Sequence, residues 1–245
     1  MRRTVLTTGA LLLLMISFSS AEAAETKQES RQIPDLSFEP NAIAAPFKAG
    51  RAALEYVLGN AETTSAILLM IGANTAYRLG RLEDAAFLLC AARIRNKYDQ
   101  QKYEPRDTGG DSPQLFMSFL FHNIGESVNR EVFLRPKEYA AVIKRLEAWT
   151  IKDPPGYDPG WPYTLRKIAP DLSTKLKAEY LDFYKPIALL LDTPEYFRAF
   201  KAIREYNELP VAKRSDTAAL KRRSAALETM RRIEKEKNLK GFSPM

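Results

Sequence analysis

From about residue 47 onward, apolar residues recur along this chain at steps of three and four, the period of an amphipathic helix. Ala52, Leu54, Val57 and Leu58 mark a first helix. Thr63 or Thr64 caps a second, in which Ile67, Met70, Ile71, Asn74 and Tyr77 recur at helical steps and which Gly80 ends. Leu82, Ala85, Ala86, Leu89, Ala92 and Ile94 trace a third. Thr108 to Asp111 read as a turn, Ser112 as a cap and Pro113 as the first residue of a helix carrying Phe116, Leu120, Ile124 and Val128. Pro136 opens the next, with Tyr139, Val142, Ile143, Leu146 and Trp149 on one stripe. Leu172, Leu176, Tyr180, Phe183, Ile187 and Leu191 give a long helix that Pro186 is expected to kink. Thr193-Pro194 starts another, which Pro210 breaks. Asp216 to Asn238 is the last, with Leu220, Leu227, Met230 and Ile233 as its apolar stripe and pairs such as Glu228 with Arg232 four residues apart. No segment shows the alternation of a half-buried strand. The expected fold is all-α, an irregular bundle of roughly eight helices.

The amino terminus breaks this pattern. Arg2 and Arg3 precede a mostly apolar run from Val5 to Phe18, and Ala21-Glu22-Ala23 fits a small-x-small cleavage site. At about 14 residues the run is shorter than the roughly 20 that span a bilayer. Residues 1–23 are therefore expected to be a cleavable signal peptide of bacterial type, and no later run is long enough for a membrane span. Residues 24–46, punctuated by Pro34, Pro40 and Pro46, read as a flexible leader. Residues 47–210 form the expected helical domain and 211–245 an appended basic C-terminal helix. Cys90 is the only cysteine, so no internal disulfide can form, and it reads as a small buried hydrophobe. Export without staples favours the periplasm as the destination.

Charge sharpens the division. Residues 211–245 hold ten Lys or Arg and four Asp or Glu, whereas residues 24–210 hold 25 of each sign. The whole chain carries a net charge of +7, so the basic character belongs to the tail. Arg222, Arg223, Arg231 and Arg232 are its candidate contacts, either to an anionic envelope component or simply to solvent. Nucleic acid is not an expected partner of an exported protein.

The chain also lacks much of what common chemistries require. His122 is the only histidine, so no two-histidine metal pair can form, and no motif around Cys90 resembles a thiol hydrolase. No cofactor or metal is expected. Carboxylate chemistry remains open. Glu126-Ser127, within Ile124-Gly125-Glu126-Ser127-Val128, resembles the catalytic acid of lytic transglycosylases, although Asn129-Arg130-Glu131-Val132-Phe133 stands where that family has a run of glycine, methionine and glutamine. A glycan hydrolase or lyase is thus one alternative, and an envelope-surface structural protein is another.

Two further features favour binding. Residues 152–163, Lys-Asp-Pro-Pro-Gly-Tyr-Asp-Pro-Gly-Trp-Pro-Tyr, form a stiff loop carrying Tyr157, Asp158, Trp161 and Tyr163. These four are the candidate partner-binding residues, and routing of the chain is the competing reading of the same loop. Tyr103 to Asp111 is a second loop that would line the same face. Residues 70–97, with Ala73, Gly80, Ala85 and Ala92 at set steps and Leu79-Gly80-Arg81-Leu82 at the turn, resemble one tetratricopeptide-type hairpin. The family's repeat-ending proline is replaced by Lys97-Tyr98-Asp99, and no second copy follows. That resemblance implies protein–protein contact. The expected function is an exported, non-catalytic helical adaptor or an inhibitor of the immunity-protein kind, acting on a protein partner in the bacterial envelope.

Overall fold

The computed structural model describes residues 50–106 and 112–239. The expected signal peptide and leader, the tip of the second loop at 107–111 and residues 240–245 lie outside them. Among the described residues there are nine helices: α1 (Arg51–Gly59), α2 (Ala66–Arg78), α3 (Leu82–Lys102), α4 (Pro113–Val132), α5 (Pro136–Ala148), α6 (Leu172–Leu191), α7 (Pro194–Glu208), α8 (Val211–Arg214) and α9 (Thr217–Glu236). Two three-residue strands, β1 (Tyr103–Pro105) and β2 (Tyr163–Leu165), pair antiparallel with Glu104 opposite Thr164. The fold is all-α, as the periodicity predicts. The strands escape that reading because three residues are too few to establish an alternation.

α3 is the central element and packs against α2, α4, α5, α6 and β1. Every residue from Ala85 to Ala92 is buried, so the run Ala-Ala-Phe-Leu-Leu-Cys-Ala-Ala is apolar on all sides rather than on one stripe. A helix of that kind needs neighbours all round, and four helices supply them. Cys90 is buried among them, where burial pushes its thiol up to about 11.

Local signals place the neighbours. Gly80 takes φ 73°, and the Gly80 and Arg81 amides donate to the Tyr77 and Ala76 carbonyls, closing α2 before α3 turns back. Ala73, Ala85 and Ala92 are fully buried between the two helices. Gly72 matters as much: a Cβ there would lie 2.8 Å from Val57 Cγ1 and 3.2 Å from Leu88 Cδ1, so its absence lets α1 and α3 close on α2. The cap of α2 is Ser65, one residue past the expected threonine, because the Thr64 hydroxyl donates instead to the Asn60 carbonyl. Ser112 and Pro113 start α4 as expected, with the Leu115 amide donating to the Ser112 hydroxyl. Pro186 sits inside α6 without ending it.

The basic C-terminal helix packs on the body. Asp216 caps α9, and α9 lies along α7. Its buried face is Ala219, Ala226, Met230 and Ile233, rotated about one residue from the expected stripe. The alanines allow close approach to α7, which leaves Leu220 42% exposed. Glu234, buried on the same side, accepts a hydrogen bond of 2.8 Å from the Tyr196 hydroxyl of α7. No described helix is long and apolar enough to cross a membrane.

This register is testable. Met230→Ala is expected to lower unfolding free energy by about 2–4 kcal/mol, and Leu220→Ala to change it by less than about 0.5 kcal/mol, in urea titrations. The reverse ranking would place the sequence-predicted stripe against α7.

Candidate functional site

The last two turns of α3 change character without changing face. Arg95, Tyr98, Asp99 and Lys102 follow at steps of three and four, below Leu88 and Ala92 on the same side of the helix. The core therefore continues into a row of charged and phenolic groups. The segment that returns from α5 covers this row, and its residues supply the partners.

Arg95 and Asp99 are both fully buried. The Arg95 Nε donates to the Tyr157 hydroxyl at 2.8 Å, Nη1 to the Lys152 carbonyl at 3.1 Å and Nη2 to Asp153 Oδ1 at 2.6 Å. The Arg95 guanidinium carbon also sits 3.9 Å from the centroid of the Tyr157 ring. Tyr157 donates in turn to Asp99 Oδ2 at 2.6 Å. Asp99 Oδ1 lies 2.9 Å from Arg95 Nε, but that hydrogen goes to Tyr157, so this oxygen receives charge without a hydrogen bond. Asp153 Oδ2 accepts from Tyr98 at 2.8 Å and from Lys102 at 2.5 Å. Two cations thus face two carboxylates, with two tyrosines bridging them.

The surrounding backbone fits this arrangement. Pro154, Pro155 and Gly156 form a turn closed by the Tyr157 amide on the Pro154 carbonyl, with Gly156 at φ 75°. Gly160, at φ 94°, donates its amide to Asp158 Oδ1 at 2.8 Å, and a Cβ there would lie 2.7 Å from Ile67 Cδ1. The loop passes close to Ile67 of α2, and its positive φ at this position favours glycine. The Trp161 indole donates to the Tyr103 carbonyl at 2.9 Å. β1 and β2 then clamp the exit, with the Arg166 amide on the Lys102 carbonyl and Arg166 paired with Glu104. At the entrance the Lys152 amide donates to the Glu62 carbonyl and its side chain pairs with Glu62.

Burial governs the protonation of the cluster. It pushes the Asp99 carboxyl up to about 7, even against the pull of Arg95 and Tyr157. Burial pushes Asp153 upward too, yet the Lys102 hydrogen bond and the Arg95 charge outweigh it and hold this carboxyl below the usual range. Lys102 is shifted the other way: burial opposes its charge, but Asp153 and Tyr98 raise its pKa. Tyr157 is raised by burial and by Asp99, so it remains a proton donor.

The sequence-predicted loop residues divide by position. Tyr157 and Trp161 are buried and bonded internally, Asp158 is exposed, and Tyr163 is half-buried with its ring edge-on to Tyr103 at 5.0 Å. Beyond them Leu165 is 63% exposed on β2. Of the tail residues, Arg222 and Arg231 are exposed, Arg223 lies 5.3 Å from the Tyr206 ring, and Arg232 pairs with Glu195 and Glu236 rather than Glu228. Glu126 is exposed on α4 and pairs with Arg130 at 2.9 Å; His122 is exposed on the same helix. The sequence reading missed Arg95, Tyr98, Asp99 and Lys102. Their signal was present, as charged residues continuing an apolar stripe.

The fold and this cluster define an all-α protein with a buried ionic clasp. Comparison with known proteins finds no family model, no curated protein and no solved structure that matches the chain.

The clasp has a pH signature. A folded-state carboxyl raised to about 7 takes up a proton before the unfolded chain does, so Asp99 adds stability as pH falls from about 7 toward 4. Asp153, held low, begins to lose its contribution only at the acid end of that window. The melting temperature is therefore expected to rise between pH 8 and pH 5.5, and Asp99→Asn to remove most of that rise. An unchanged slope in the variant would contradict this assignment.

Proposed function

We propose that this chain is an exported helical binding protein of the bacterial envelope, acting in the periplasm by contact with a protein partner, as an adaptor or as an inhibitor of the immunity-protein kind. The signal-like amino terminus supports export. The resemblance of residues 70–97 in sequence to one tetratricopeptide-type hairpin supports a contact role. The observation that carries the reading is the clasp beneath residues 152–163.

Burying two ion pairs is an inefficient route to stability. A well-packed apolar cluster of the same volume is often as stable or more so. What the ions add is direction: every acceptor of Arg95 has one place to be, so the loop above has one path. A loop held that way meets a partner without first losing conformational freedom. Its outward side presents Asp158, Pro162, the edge of Tyr163 and Leu165, a small mixed apolar and acidic surface. Tyr157 and Trp161 support this surface from below.

The test uses the mature protein as bait in a periplasmic extract, with Asp158→Arg/Leu165→Asp as the comparison. Both side chains are exposed and helicity should stay unchanged; because Asp158 also accepts the Gly160 amide, Leu165→Asp alone serves as the second variant that leaves that bond in place. A specific partner captured by the parent and lost, by at least tenfold, from the variant is the expected result. Equal capture by both proteins would remove the loop as the contact surface. Hydrolysis of peptidoglycan by the parent, abolished by Glu126→Gln, would replace the binding reading with the glycan-enzyme alternative.

A further inference from the structure

α9 is a cationic helix whose rotation is fixed by its packing. Ala219, Ala226, Met230 and Ile233 are buried, and α9 lies along α7, so the opposite face must look outward. That face carries Lys221, Arg231 and Lys235, all exposed. Glu228 and Glu236 are its acidic residues. Among the described residues the ion pairs of α9 run through Arg232 alone, to Glu195 of α7 and Glu236, which leaves Lys221, Arg231 and Lys235 without such pairs. A shallow depression of about 620 Å³ follows the helix, and Ser224, Leu227, Glu228, Arg231, Arg232 and Lys235 line it.

We infer that this face is a peripheral docking surface for a membrane of anionic phospholipid. Three features select that occupant. The line from Lys221 to Lys235 runs straight for about 21 Å at the helical rise, and an extended row of cations matches a plane of anionic headgroups. Val211 of α8 is 77% exposed and Leu220 42% exposed, close in sequence to Lys213 and Lys221. Apolar tips among cations suit the headgroup boundary. The apolar face of α9 is already covered by α7, so the helix cannot roll into the bilayer as a free amphipathic helix would. Attachment is therefore electrostatic, shallow and reversible. This surface is separate from the loop of residues 152–163, and its failure would leave the protein-binding reading intact.

The experiment is co-sedimentation of the full mature protein with vesicles. Phosphatidylglycerol–phosphatidylethanolamine vesicles should bind it at 50 mM salt and release it at 500 mM, and pure phosphatidylcholine vesicles should not bind. Arg231→Gln/Lys235→Gln, with both side chains in solvent, should weaken binding by roughly 30-fold and leave the circular dichroism spectrum unchanged. Equal binding to neutral vesicles, an unaffected double variant, or tighter binding to soluble polyglutamate than to the anionic vesicles would each overturn the inference.

Discussion

Arg95 is the constraint around which the structure is arranged. Its side chain lies in the core beside α3, where an unpaired guanidinium would be prohibitively unfavourable. Each of its nitrogens must therefore meet an acceptor, and within α3 Asp99 supplies opposite charge at 2.9 Å but takes no hydrogen bond from it. The Lys152 carbonyl, Asp153 and the Tyr157 hydroxyl complete the set. One buried charge thus dictates the course of a segment more than 50 residues further along the chain. Asp153 then draws in Tyr98 and Lys102, and the ribbon of β1 and β2 seals the far end.

The same constraint explains why the loop is rich in proline and glycine. The prolines narrow the unfolded ensemble, and Gly156 and Gly160 take the positive φ values that the two bends require. A Cβ at Gly160 would also require the end of the Ile67 side chain to shift. Stiffness from the backbone and direction from the ions act on the same dozen residues. The loop is both a route for the chain and a fixed surface; Tyr157 and Trp161 serve the first role, while Asp158 and Leu165 face outward for the second.

Most of the helical framework was legible in the sequence because its signals are local. Ser112 and Gly80 mark helix ends through bonds to residues a few positions away, and Pro113, Pro136 and Pro194 mark helix starts through the fixed φ of proline. The errors share a different origin. The rotation of α9 depends on how closely Ala219 and Ala226 let it approach α7, which the larger Leu220 and Leu227 conceal in a pattern of hydrophobicity. Phe183 was counted as core but is 49% exposed, because Leu181 and Tyr184 face inward instead. The clasp was invisible for a stronger reason: Arg95 and Asp153 meet only after α3 and the segment after α5 have been brought together. A charge on a core stripe shows that a partner must exist but not where it lies.

Amide hydrogen exchange of Arg95→Leu against the parent tests the clasp most directly. Loss of protection confined to residues 152–157, including the Lys152 and Tyr157 amides, with α2 and the first turns of α3 still protected, is the outcome this account requires. Unchanged protection throughout the loop would show that its path is set by the prolines and Trp161 alone and that the buried ions do not direct it.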